Sequence, residues 1–380
     1  MTTSDVTKVT IGVFAHNSAE SIEATLQSLV EQTLVNNDDN SIEAEILILA
    51  NGCTDDTARL SQFILEKSQI GGERTSWRVI EIDQPGKCNT WNLFVHDLSS
   101  EDTDLFVFMD SDIQFLQTDT LANLVRDLQI DEHALVSTDL PVKDIALNGP
   151  KNFRELVSLW VSGVSSVNAN SICGQLYCGK ADFIRNVWLP ATLPVEDGFL
   201  RAMVITNRFS EPQDTTRIIR SEDASHVFEA HIGTKKLFQH EEWLVAASTI
   251  NAYIYDLLWE CGKNGEDVGD VIRDRNESDS KWLEKLIQQK IGKKKWWIVP
   301  KYFLYRRFYQ LAKRSWLTAL FKMPVAVAAF FFDVLICTRV NYNLKRNMFV
   351  RYWRTSGKKQ ASRELTSLSR LQYTGSEQAR

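Results

Sequence analysis

Four stretches of this chain read as strands, and most of them carry an unbroken apolar run where a half-buried strand would alternate apolar with polar. They are KVTIGVFAHN (Lys8–Asn17), AEILILANG (Ala44–Gly52), WRVIEID (Trp77–Asp83) and DLFVFMD (Asp104–Asp110). Between them lie segments of helical periodicity, over Ala19–Gln32 with Ser18 placed to cap it, over Thr57–Lys67, and over Lys87–Leu98 after the Pro85-Gly86 turn. A strand with no polar side must be covered on both faces. Strands of that kind alternating with helices predict an α/β fold built on a mostly parallel sheet flanked by helices. In such sheets ligands bind at the carboxyl ends of the strands. The polar clusters fall there: Ala15-His16-Asn17, Asn51-Gly52-Cys53-Thr54-Asp55, Pro85-Gly86-Lys87 and Asp110-Ser111-Asp112.

The rest of the chain is less regular. A helix is expected at Phe153–Val167, a Gly-rich strand region at Cys173–Gly179, and a helix at Phe199–Thr206 behind a second acidic pair, Glu196-Asp197. Residues 262–280 are polar and are expected to form a linker. With 380 residues, 44% hydrophobic and 24% charged, the chain has the balance of a globular protein with room for an appendage. Its six cysteines show no C-x-x-C pair, so reduced thiols are expected and a zinc site is not. No charged-then-apolar leader precedes the first strand. Asn276-Glu277-Ser278 fits the N-glycosylation pattern and is read as chance.

Asp110 and Asp112, an i, i+2 pair at a strand end, are positioned to hold a hard cation such as Mg²⁺ or Mn²⁺, whose shell a substrate phosphate could complete. An isolated D-x-D is more often a solvated turn, and the neighbouring strand-end clusters are what favour the site here. Other phosphate devices are excluded by spacing. No G-x-G-x-x-G follows the first strand, Gly86-Lys87 has Glu81 where a P-loop needs glycine, and no G-x-S-x-G is present.

Taken in order, VTIGVFAHNSAESIEATLQSLVEQT, ILILANGCTDDT, PGKCNTWN, FVFMDSDI, GQLYCGKADF with VEDGFL, and QHEEW resemble the motifs of family 2 glycosyltransferases of the GT-A fold. The resemblance runs from about Val9 to Trp243. It implies an inverting transferase that moves a sugar from a nucleotide-diphosphate donor to an acceptor hydroxyl with the help of a divalent cation. By the same resemblance, Asp110 and Asp112 are the metal ligands, and Ser111 lies between them in the donor site. Ala15, His16, Asn17, Asn51 and Asp55 form the nucleotide pocket, and Lys87 sits by the donor phosphates. Asp197 is the acceptor's base with Glu196 orienting it, and Gln239 and Trp243 are the ends of a Q-x-x-R-W motif. Three departures stand out. Val13-Phe14 occupy the place of a usual proline, Asn51 replaces an aspartate that reads the base, and Glu242 replaces the arginine of Q-x-x-R-W. That arginine is typical of processive synthases, so its loss points to single-sugar transfer. His226, His231 and His240 are candidate third contacts to metal or phosphate, with surface histidines the default reading.

Charge divides the chain sharply. Through residue 284 there are 22 basic and 46 acidic residues, and from 285 onward 21 basic and 3 acidic. The basic part contains KKKWWIVPKYFLYRRFYQLAKR (Lys293–Arg314) and the apolar TALFKMPVAVAAFFFDVLIC (Thr318–Cys337), which Lys322, Pro324 and Asp333 interrupt. Those interruptions make it a poor span, and the composition suits an in-plane or partly inserted helix on an anionic leaflet, with a true span and a buried soluble helix with a solvated basic face as the alternatives. A nucleic-acid partner is not expected. The expected organisation is a catalytic domain over 1–260, a linker or charged helix over 261–292, and a membrane-associating helical region over 293–380. The protein is expected at the cytoplasmic face of a membrane, peripheral or held by a single weak membrane segment, acting on a glycan or lipid-linked acceptor. A sugar-nucleotide nucleotidyltransferase and a non-catalytic membrane scaffold are the competing readings. The first would need a Gly-rich signature that GVFAHNSAES lacks, and the second rests on the altered Q-x-x-R-W alone.

Overall fold

The computed structural model describes residues 6–36, 41–68, 70, 74–148, 170–229, 234–293, 296–312 and 315–346. Strands β1 (Thr7–Ala15), β2 (Ile42–Asn51), β3 (Thr75–Ile82) and β4 (Leu105–Asp110) form a parallel block in the order β3-β2-β1-β4. Helices α1 (Ile22–Val30), α2 (Thr57–Ser68) and α3 (Lys87–Leu93) connect them, α3 running on as a π-helical turn over Phe94–Leu98. The strands and helices expected up to Asp110 are present, with ends shifted by up to three residues.

Beyond β4 the sheet becomes mixed. After the short β5 (Ile113–Phe115) come α4 (Thr120–Ile130), β6 (Val136–Lys143), α5 (Asp144–Asn148), β7 (Leu176–Lys180), α6 (Ala181–Ile184), α7 (Asp197–Ile205) and β8 (Ile218–Phe228). They extend the sheet as β4-β7-β6-β8-β5, with β7 antiparallel to both neighbours and β6 parallel to β8. Four of the seven pairings are parallel, so the sheet is mixed with a parallel majority. The helix expected at Phe153–Val167 lies outside the described residues.

The unbroken apolar runs have a simple cause. Val9, Ile11 and Val13 of β1 and Val107 and Met109 of β4 enter one core, while Phe14, Phe106 and Phe108 enter the other. Each face of the sheet is therefore buried, and each such side chain contributes about 1.5–3 kcal/mol. Gly12 fits because Phe94 crosses the strand there: a Cβ would come within 2.7 Å of its ring. Phe108 stacks between Trp91 and Tyr177, at 5.4 and 4.5 Å between centroids, and Trp91 Nε1 donates to the Tyr177 hydroxyl at 2.8 Å. This packing ties α3 and β7 to the tip of β4.

Five further helices complete the described fold: α8 (Thr234–Lys263), α9 (Val268–Ser278), α10 (Trp282–Gly292), α11 (Tyr302–Ala312) and α12 (Trp316–Lys345). The stretch 262–280, expected as a linker, is mostly α9. Asp267 caps that helix by accepting from Gly269 N and Asp270 N, and Val268 and Ile272 join the large core with Leu283 and Ile287 of α10. The polarity belonged to its outer face. Asn276 accepts from Ala191 N and Trp282 Nε1 and donates to Leu189 O, so this side chain is engaged inside the fold. All six cysteines are free thiols.

Candidate active site

β4 carries Asp110 to the rim of the sheet, and the next residue fixes how the pair is presented. Ser111 is buried. Its hydroxyl bonds that of Ser18 at 2.7 Å, and its carbonyl accepts from Ser21 Oγ and Thr25 Oγ1 at 2.8 and 3.0 Å. The start of α1 thus holds Ser111 down, and Asp110 and Asp112 flank it, both half-buried. Asp110 N also donates to Gln175 O at 2.9 Å.

Lys87 is the first residue of α3. The turn before it is set by Asn51, whose side-chain oxygen accepts from Gly86 N at 3.1 Å. Lys87 Nζ meets three acceptors: Asp110 Oδ1 at 2.7 Å, Glu196 Oε1 at 2.6 Å and Gly174 O at 3.0 Å. One ammonium therefore joins the strand-end aspartate, the second acidic pair and the loop leading to β7. Burial opposes its charge, yet the two carboxylates hold its pKa well above that of an ordinary lysine. The same burial pushes Asp110 up to about 6, against the pull of Lys87. Asp197, at the start of α7, is pushed up to about 6 by burial and by the adjacent Glu196 charge, while Gly198 N donates to it at 2.5 Å. Gly174 leaves room for this assembly: a Cβ there would come within 3.1 Å of Glu196 Oε1 and 3.3 Å of Asp197 Cβ, and those side chains would have to give by a few tenths of an ångström.

The residues at the ends of β1 and β2 form one cluster. His16 Nδ1 bonds Asn51 O at 2.6 Å, and Asn17, with φ of 49°, accepts from Thr54 N at 2.7 Å. Ala15 is buried beneath them. Asp55 accepts from Thr57 N and Ala19 N, so its carboxylate braces the start of α2 and the loop into α1. Gln239 and Trp243 lie on α8, Gln239 exposed and Trp243 packed against the large core. Neither bonds Lys87, Asp110 or Asp197 among the described residues.

His226 departs from the surface default. It is fully buried on β8, with Nδ1 2.6 Å from Asp139 Oδ2 and Nε2 3.4 Å from Gln175 Oε1. Asp139, on β6, is pushed up by its burial, and its other oxygen has no partner among the described residues. The pair therefore supports the segment whose backbone holds Asp110. Sequence reading missed Asp139, Gly174 and Gln175. A lone aspartate in a predicted strand was the available signal for Asp139. His240 stacks on Trp243, and His231 lies outside the described residues.

Among the described residues no three His, Cys, Asp or Glu side chains are grouped to enclose a metal ion. The two carboxylates flanking Ser111 are hard oxygen donors of the kind Mg²⁺ and Mn²⁺ take when substrate and water supply the remaining ligands. The residues fit a substrate-completed site.

Sheet and site together form an α/β unit whose polar side chains are collected at strand carboxyl ends. Residues 10–168 match the family described as Glycosyl transferase family 2. No curated protein matches the chain. Among solved structures it is similar to glucosyl-3-phosphoglycerate synthase from Mycobacterium tuberculosis, described with Mn²⁺, UDP and glucosyl-3-phosphoglycerate. The identity is 17%, over 64% of this chain and 80% of that one, with a TM-score of 0.44. It is also similar to the mannosyltransferase PcManGT from Pyrobaculum calidifontis, described with GDP-Man and Mn²⁺. There the identity is 15%, over 92% of this chain and 88% of that one, with a TM-score of 0.44.

Proposed function

We propose that the protein transfers a single sugar, with inversion, from a nucleotide-diphosphate sugar to the hydroxyl of a glycan or lipid-linked acceptor. The observation that carries this reading is the position of Lys87, one ammonium shared by Asp110 and Glu196. It brings a phosphate-binding cation and an acceptor-side acidic pair to one point.

The bond that forms joins the acceptor oxygen to the anomeric carbon, and the bond that breaks joins that carbon to the diphosphate oxygen. Asp197 takes the hydroxyl proton as the oxygen attacks, and its pKa of about 6 leaves it ionised yet still basic near neutrality. Glu196 orients the acceptor. Lys87 pairs with the diphosphate as negative charge collects on it. Asp110 and Asp112 would hold Mg²⁺ or Mn²⁺, which supplies Lewis-acid help to the departing diphosphate. The clustered ends of β1 and β2 form the nucleoside pocket, with His16 and Asn17 nearest to hand.

The same reading places the enzyme on the cytoplasmic face of an anionic membrane, attached through its basic C-terminal region. The support is that α12 contains a stretch, Ala319–Lys345, long and apolar enough to meet a bilayer. The test is to incubate the protein with UDP- and GDP-sugars and Mn²⁺ and follow nucleoside diphosphate release. Release that D112N and D197N both abolish supports the reading. No release and no thermal stabilisation by any nucleotide-sugar would refute it.

A further inference from the structure

α12 has two unlike halves. In its second half Ile336, Cys337, Val340 and Leu344 are fully buried and belong to the same core as β4 and α3. In its first half one face packs on α11 and the other is open. Trp316, Leu320, Phe321, Met323, Phe331 and Leu335 lie on that open side, and Phe321 is 81% exposed. The open face turns polar at Thr338 and Arg339, where Arg339 Nε donates to Glu242 of α8 at 2.9 Å.

A polar lock sits where the halves meet. Asp333 is buried and accepts from Arg306 at 2.6 Å and Arg307 at 3.1 Å, both on α11, while Arg306 also donates to Glu241 of α8 at 2.8 Å. The carboxylate that interrupts the apolar run is thus satisfied by protein. It also brings two guanidinium groups alongside the helix.

We propose that the α11–α12 pair is an in-plane anchor. The open Trp316–Leu335 face lies in the outer part of an anionic leaflet, and α12 does not cross the bilayer. This deepens the membrane attachment stated above and rests on it. A crossing helix needs about 20 residues surrounded by hydrocarbon. Here α12 has Ala326 and Asp333 buried against the protein along that length, and its end is fastened in the large core. α11 has 11 residues, about 16 Å of helix, and would carry Arg306 and Arg307 into the bilayer with it. Lying flat, the pair keeps those groups and Lys322 at headgroup level and buries only the open face. Charge selects the occupant: from residue 285 onward the chain has 21 basic and 3 acidic residues, which matches anionic lipid. An apolar face of this extent is uncommon on a free surface.

Two measurements on the full-length protein test this. The first is flotation with vesicles of equal parts phosphatidylglycerol and phosphatidylcholine, against phosphatidylcholine alone. F321E changes a residue that supports no packing, so it should lower binding to the anionic vesicles at least tenfold while donor hydrolysis in solution is unchanged. The second is labelling of S315C and K345C with a membrane-impermeant maleimide in sealed membranes from expressing cells that present the catalytic domain outward, read by mass spectrometry. Both sites should react as fully before detergent as after it. Protection of Ser315→Cys until detergent is added would show a span and overturn the in-plane placement while leaving membrane attachment intact. Wild-type binding that F321E does not weaken, or a dimer that buries the face in solution without lipid, would also overturn it. Donor hydrolysis is scored separately, so failure of the catalytic reading is seen on its own.

Discussion

Lys87 Nζ lies 2.7 Å from Asp110 Oδ1, so the residue that starts α3 neutralises the carboxylate at the tip of β4. The two come from segments 23 positions apart in the chain, and the shared third partner, Glu196, lies much further on. This contact ties the tip of β4 to the second acidic pair. Removing the ammonium leaves two largely enclosed carboxylates facing each other. K87A should therefore destabilise the unliganded protein by about 1–3 kcal/mol in urea unfolding. It should also lower kcat/KM by about 10²–10³-fold, the scale of losing one preorganised donor to developing charge. A K87A variant of ordinary stability and activity would remove Lys87 from the site.

The acidic residues also make unliganded stability depend on pH. Asp110 and Asp197 each have a folded-state pKa of about 6, above the ordinary 3.8, through burial first. The folded protein therefore holds protons that the unfolded chain releases. Their contribution is fully present below the unfolded pKa and is lost as pH rises through about 6. Each carboxyl contributes at most about 2–3 kcal/mol. Chemical denaturation between pH 4 and 7 should show stability falling with pH, and D197N should flatten part of that slope.

Catalysis should run in the opposite direction over the same range. A general base acts only when ionised, so kcat/KM should climb with pH up to about 6 and then level. D197N should abolish transfer and that ascending limb with it, while binding of the donor, read by thermal shift, stays within a few-fold. Loss of donor binding in D197N would place Asp197 on the donor side.

Metal dependence should involve both residues that flank Ser111. A nucleoside diphosphate with Mn²⁺ at a hundred times its Kd should stabilise the wild type by about 2.7 kcal/mol. D112N should lose the increment that Mn²⁺ adds. D110N should lose it as well, and should also leave Lys87 with Glu196 and Gly174 as its remaining partners. Equal Mn²⁺ response in wild type and both variants would disprove the metal assignment.

What the sequence made legible follows from the range of the interactions involved. The central parallel strands and the helices between them are written locally, because a strand buried on both faces must be apolar throughout and its neighbours must show helical spacing. By contrast β3, at the sheet edge, is half-buried and carries Arg78 and Glu81. Asp110, Asp112 and Lys87 could be picked out for the same reason, each standing at the end of such an element. The contacts among them could not. That Lys87 reaches Glu196, that β7 inserts antiparallel beside β4, and that His226 is buried against Asp139 all depend on segments far apart in the chain. No periodicity records such pairings. α9 was concealed differently: its buried positions are few, and its polar outer face looked like a linker.

Glu242 shows what became of the position where the Q-x-x-R-W resemblance expects arginine. Its carboxylate accepts from Arg339 Nε and Asn343 Nδ2, both at 2.9 Å, and so ties α8 to the last turns of α12. The side chain is nearly buried while Arg339 is largely exposed, so the ion pair alone is weak and the enclosed hydrogen bonds carry most of the effect. E242Q keeps the shape and should cost about 1 kcal/mol or less. E242R restores the expected residue but sets a guanidinium against Arg339 and leaves Asn343 without its acceptor, which should cost about 2–4 kcal/mol. Limited proteolysis should then cut between α11 and α12 sooner in E242R than in wild type, with E242Q close to wild type. If E242R were as resistant as wild type, α12 would have to be held to the catalytic domain by its buried apolar face alone.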